Sequence, residues 1–133
     1  MLSPKLSKII DRYPKLQEKL TALVAFISRQ VASGRKEIVP AIAAQSVGIS
    51  EAEALGYLML FEREGLLHPV YQVYCNDKRT LLLEVKSLRE IPKSIHCQYC
   101  DEDHSSPEEL DVELVFKVEE KAWENLTHNV AVS

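Results

Sequence analysis

The sequence predicts an α+β fold, a helical first half followed by a smaller β-rich half that carries a cysteine cluster. Three observations point to it. Apolar residues recur at spacings of three and four from Leu16 to Phe61. From Val70 onward, β-branched and aromatic residues gather in short runs bounded by turn residues. The stretch Ile95–His104 holds two of the three cysteines and two of the four histidines.

The chain of 133 residues fits one domain, or a small domain with an appendage, and its 46% hydrophobic content is enough for a core. No run of about 18 apolar residues suggests a membrane span. The N-terminus lacks the apolar stretch and small-residue cleavage site of a secretory signal, so a cytoplasmic protein is expected. Three cysteines, two of them as Cys97-x2-Cys100, suit a reducing compartment and a metal better than a disulfide framework. The net charge of -4 conceals a split: residues 1–36 carry eight Lys/Arg against two acids, and the remainder is strongly acidic. Such a split can steer a basic end toward an anionic partner or can be matched within the fold.

In order, residues 1–13 read as a Lys-rich arm in which Leu6, Ile9 and Ile10 can form a short helix. Pro14 suits the first turn of a longer helix. Its apolar stripe is Leu16, Leu20, Leu23/Val24, Ile27 and Val31, and Ser33-Gly34 ends it. A small strand at Arg35–Val39 precedes an Ala-rich helix, Pro40–Val47. Gly48-Ile49-Ser50 is a tight turn. Ser50 with Glu53 has the spacing of a capping box, and Glu51 and Glu53 favour the positive end of a helix dipole. The third helix then runs from Glu51 to about Glu64, stopping at Gly65, with Ala54, Tyr57, Leu58 and Phe61 as its core register. That leaves Leu55, Gly56, Met59 and Leu60 on the outer face. Val70–Cys75, the turn Asn76–Arg79 and Thr80–Lys86 make a hairpin. Ser87–Glu90 is a second capping pattern. Ile95–Cys97 is a short strand, Asp101–Asp111 a polar loop, and Val112–Val118 a final strand. Residues 119–133 read as a tail with a short helix around Trp123.

The cysteine cluster carries the clearest chemistry. A Cys-x2-Cys turn offers two thiolates on one knuckle, and a structural zinc site takes four N/S ligands. Cys75, at a hairpin end, is the natural third ligand. His104 is the fourth, ahead of His96 and Asp77. The metal set is therefore Cys75, Cys97, Cys100 and His104, with structural zinc as the cofactor. No His-x3-His pair or Glu-rich helix accompanies the cluster, and no Ser/His/Asp set, phosphate loop or dinucleotide fingerprint is present. The expectation is a non-enzyme.

Helix, short helix, Gly-containing turn, helix ending in Gly-Leu-Leu, then a hairpin: this order resembles a winged helix-turn-helix domain. The run from Cys75 through Cys97 and Cys100 resembles a zinc ribbon, with Lys78 standing where the second cysteine of the first knuckle would be. The architecture is similar to small bacterial regulators and adaptors and to the transcription factor E family, over roughly residues 14–118. The resemblance implies a division into an arm (1–13), a winged helix (14–74), a ribbon-like β subdomain (75–118) and a tail (119–133). It implies a non-enzymatic adaptor or regulatory subunit of a bacterial complex, of regulatory or defence type. A protein partner or self-association would use Leu55, Gly56, Met59, Leu60 and Trp123. The alternative is a DNA-binding transcriptional regulator that touches phosphates through Lys15, Lys19, Lys78 and Arg79. The acidic first turn of the third helix repels phosphate and favours the protein partner.

Overall fold

The computed structural model describes residues 4–76, 80–105 and 110–123. The fold is mixed α+β, with four α-helices and six short strands among these residues. The helices are α1 (Pro4–Arg12), α2 (Gln17–Ala32), α3 (Pro40–Val47) and α4 (Glu51–Arg63). The strands are β1 (Glu37–Ile38), β2 (Leu67–Cys75), β3 (Leu81–Val85), β4 (Ser94–Cys97), β5 (Glu102–Ser105) and β6 (Leu110–Val118). One sheet has the order β1-β6-β2-β3; β4 and β5 form a separate two-stranded sheet.

Two compact units result. The first comprises residues up to His68 together with those from Phe116 onward; the second is Pro69–Val115. The division thus falls near the start of β2.

In the first unit, α2 buries Leu20, Leu23, Val24, Phe26 and Ile27; of the expected stripe, Leu16, which lies in a 3-10 turn ahead of α2, and Val31 are only half-buried, and Phe26 is added. Leu6, Ile9 and Ile10 of α1 are also buried, so residues 4–12 are part of this core, although the sequence suggested an arm. Three apolar side chains at i, i+3 and i+4 form one helix face, and that face is covered. Helix α4 buries Ala54, Tyr57, Leu58 and Phe61, which is the register expected. Its N-terminus is capped as predicted, Ser50 Oγ accepting the Glu53 amide at 3.1 Å. The other half of the box is not made in the expected way. The Glu53 carboxylate instead takes the Lys19 ammonium at 2.9 Å and the Tyr57 hydroxyl at 2.9 Å.

The end of α4 sets up the rest of the unit. Gly65 adopts φ of 76°, which an L side chain resists. Its amide bonds Glu62 O, and the Leu66 amide bonds Phe61 O at 3.0 Å, the paired bonds of a Schellman turn. Leu66 and Phe61 are both buried beneath it. The turned-out carbonyl of Leu66 accepts the Glu119 amide at 3.1 Å and the Trp123 indole N–H at 2.7 Å. Strand β1 pairs antiparallel with the end of β6, Ile38 opposite Phe116.

In the second unit, β2 and β3 are antiparallel, Tyr71 opposite Val85 and Val73 opposite Leu83, with a bulge beyond Val73. The predicted hairpin is present. The predicted capping pattern at Ser87 gives one 3-10 turn, Leu88–Glu90. The polar stretch after the knuckle differs from expectation. Residues 102–105, read as loop, form β5 and pair with β4. Asp and Glu are poor strand formers, so propensity concealed a strand that pairing alone holds.

Candidate metal centre

Four side chains from four places in the second unit converge. Cys75 ends β2, Cys97 ends β4, Cys100 lies in the following turn, and His104 is in β5. Their ligating atoms all lie within 4.8 Å of one another. Cys75 Sγ is 3.6 Å from Cys100 Sγ and 3.3 Å from His104 Nε2.

The local backbone explains why these four meet. Strand side chains alternate in direction, so residues on one face are spaced by two. In the β4–β5 hairpin Cys97 lies opposite Glu102, and Ile95 opposite His104. Cys97 and His104 therefore share a face as a diagonal pair, close enough for long side chains to interact. His96 and Asp103 occupy the other face. They bond each other there, His96 Nδ1 lying 2.9 Å from Asp103 Oδ1. This alternation turns His96 away from the cluster. The turn itself is closed by the Asp101 amide on Cys97 O at 2.8 Å, with Asp101 at φ of 55°. Asp tolerates that left-handed conformation better than most residues. Cys75 arrives on the face of β2 that also buries Val73, and its amide is tied to Thr80 O at 2.9 Å. Asp77, the other alternative ligand, is outside the described residues.

Burial is uneven. Cys75, Cys97 and His104 are 0%, 0% and 2% exposed, whereas Cys100 is partly exposed. The thiols differ electrostatically as well. Burial pushes the Cys97 thiol up, but backbone amides of Cys100 and Tyr99 and the His104 and Cys100 side chains outweigh it, lowering Cys97 to about 7. Burial and the sulfurs of Cys75 and Cys97 push Cys100 up to about 12. Cys97 is thus the more readily ionised of these two thiols, and ionising all three sulfurs at this spacing requires a cation between them. Three soft sulfurs and an imidazole suit a thiophilic metal of tetrahedral preference.

No family model, curated protein or solved structure matches the chain. The chemistry of the site rests on the geometry above.

The other expected site residues are distributed as follows. Met59 is 49% exposed. Leu55 and Leu60 are half-buried, and Gly56 is exposed, with nothing within 4 Å of where a Cβ would stand. These four lie on the outer side of α4, as the register required. Trp123, counted among partner-binding residues and expected in a tail that docks either on a partner or on its own domain, does the latter: it is fully buried in the first unit. Its ring stands edge-on to Phe61, centroids 6.4 Å apart. A residue with its indole N–H committed and its ring covered has no surface to offer a partner. Of the cations assigned to phosphates, Lys15 is exposed. Lys19 is paired with Glu53. Lys78 and Arg79 fall outside the described residues. Among the described residues, no helix is long and apolar enough to cross a membrane.

Proposed function

We propose that this chain is a non-enzymatic adaptor subunit, a winged helix-turn-helix unit joined to a ribbon-like β unit that is stiffened by one structural zinc ion. The observation that carries the reading is the Cys75, Cys97, Cys100 and His104 set. Zinc bound at about 2.3 Å from sulfur and about 2.0–2.1 Å from nitrogen holds tetrahedral ligands roughly 3.6–3.8 Å apart. The 3.6 Å and 3.3 Å separations support such an ion with adjustments of a few tenths of an ångström. Four protein ligands complete a tetrahedron and leave no position for substrate or water, which supports a structural role over a catalytic one.

The partner surface is the outer side of α4, around Leu55, Gly56, Met59 and Leu60. An exposed Met59 and half-buried Leu55 and Leu60 beside a glycine offer contact area to protein rather than hydrogen-bond donors to base edges. The acidic first turn, Glu51 and Glu53, supports a protein partner over DNA, and Glu53 already holds Lys19.

Two measurements test the reading. Elemental analysis of protein never exposed to chelator should give close to one zinc per chain; less than roughly a tenth of an equivalent would reject the zinc centre. Co-expression with the product of the neighbouring gene should yield a complex that Met59→Glu with Leu60→Glu abolishes. Unchanged binding by the folded double variant would sink the α4 surface.

A further inference from the structure

We propose that Cys100 is a site of oxidation by peroxides, and that its oxidation converts the metal cluster into a Cys75–Cys100 disulfide and releases the ion. The inference rests on the zinc reading above. Cys100 is the one partly exposed ligand of the four; Cys75, Cys97 and His104 are closed off from solvent. A small oxidant therefore reaches Cys100 first, and ligation to the metal, which takes the deprotonated form, supplies the thiolate there. The sulfur at hand to resolve the oxidised form is Cys75, 3.6 Å away. A disulfide bond is about 2.05 Å long, so the two sulfurs need to close by roughly 1.5 Å. Cys97 is less well placed as the resolving thiol. Its sulfur also neighbours that of Cys100, but the amides of Tyr99 and Cys100 hold it within the knuckle, whose turn is closed by the Asp101 amide on the Cys97 carbonyl.

The chemistry balances with hydrogen peroxide as oxidant. The Cys100 thiolate attacks one peroxide oxygen, the O–O bond breaks, and a sulfenic acid forms as hydroxide leaves. The Cys75 thiolate then attacks the sulfenic sulfur. The S–S bond forms, the S–O bond breaks, and a second hydroxide departs. One peroxide is reduced by two electrons, and two thiolates are oxidised to one disulfide. The ion loses two of its four ligands. Cys97 and His104 cannot hold it by themselves, so it dissociates. The new bond ties the end of β2 to the knuckle, the same two places the metal ties. Oxidation thus removes the ion while the hairpin remains tethered, whereas chelation under reducing conditions removes both.

The test uses the full chain as purified, with its zinc content measured first. Hydrogen peroxide is added in the presence of a chromogenic zinc reporter. Free thiols are then alkylated and the protein is mapped by mass spectrometry without reduction. The expected result is one zinc released per disulfide formed, a Cys75–Cys100 crosslink as the dominant product, and Cys97 recovered as the alkylated thiol. Dithiothreitol with added zinc should restore the starting protein. A dominant Cys97–Cys100 crosslink, sulfinic acid at Cys100 without a crosslink, or zinc retained after the peroxide is consumed would each overturn the inference while leaving the zinc centre intact. Absence of zinc before oxidation would instead overturn the zinc reading, and the inference with it. A folded Cys97→Ser variant should still form the Cys75–Cys100 bond. If that variant does not fold, the wild-type map decides alone.

Discussion

Trp123 shows how one side chain can change its meaning with context. In the sequence it stands among charged residues, where a lone aromatic reads as an anchor either for a partner or for its own domain. In the fold it lies against Phe61 and donates to Leu66 O at 2.7 Å. Trp123→Ala should therefore destabilise the protein by about 3–5 kcal/mol in urea unfolding, as removal of a buried aromatic does. Met59→Ala on the exposed face should change it by no more than about 0.5 kcal/mol. Near-equal effects would mean that the indole is not core. Glu53 makes a second prediction at this scale. The Lys19 ammonium and the Tyr57 hydroxyl, both bonded to its carboxylate, hold it below the ordinary value of 4.5. A carboxylate whose folded value is lowered stabilises the fold above its unfolded value, and that contribution is lost as pH falls through the folded value. Lys19→Gln should accordingly reduce the drop in Tm on acidification below pH 4.5, by a small amount because the pair is exposed. An unchanged Tm-versus-pH curve would show that the pair is energetically silent.

At the scale of elements, the helices were legible because each carries its own signals. Gly48 and Gly65 end α3 and α4 with positive φ, and Ser50 caps the start of α4. Those signals act over a few residues, so no tertiary knowledge was needed to find them. Strand β5 had no such signal. Glu102, Asp103, His104 and Ser105 show neither an apolar face nor β-branched residues, and the strand exists because β4 is there to pair with it. A two-stranded hairpin is marginal by itself in water. The β4–β5 pair belongs to no larger sheet among the described residues, so the cluster linking it to Cys75 should decide whether it persists. Under reducing conditions, chelation should collapse amide-exchange protection across residues 94–105, with α2 and α4 retaining theirs. Full protection of the hairpin in metal-free protein would show that packing alone suffices. The same pairing explains which histidine joins the cluster. Register, not proximity in sequence, selects His104 and rejects His96, which is adjacent to Cys97 but on the opposite face.

For the whole molecule, the charge split noted in the sequence is partly consumed within the fold. Lys19 meets Glu53 at 2.9 Å, and Lys36 meets Glu120 at 3.2 Å. Cations engaged in this way are less available to phosphate. A short duplex at low salt should show no binding tight enough to give the steep salt dependence of phosphate contacts. A log–log salt slope of about -3 or steeper would restore the DNA-binding alternative. The sequence by itself determined the helices, the α4 register with Leu55, Gly56, Met59 and Leu60 outward, the hairpin, and the four ligand candidates. Periodicity, capping residues and cysteine spacing are local properties, and they survive without knowledge of the fold. Tertiary structure decided three things. It brought Cys75 to the knuckle, made a strand of an acidic stretch so that His104 faces the thiols, and buried Leu6, Ile9, Ile10 and Trp123 in the first unit. Each depends on a surface supplied by residues far along the chain, and no local pattern encodes which distant surface will be there.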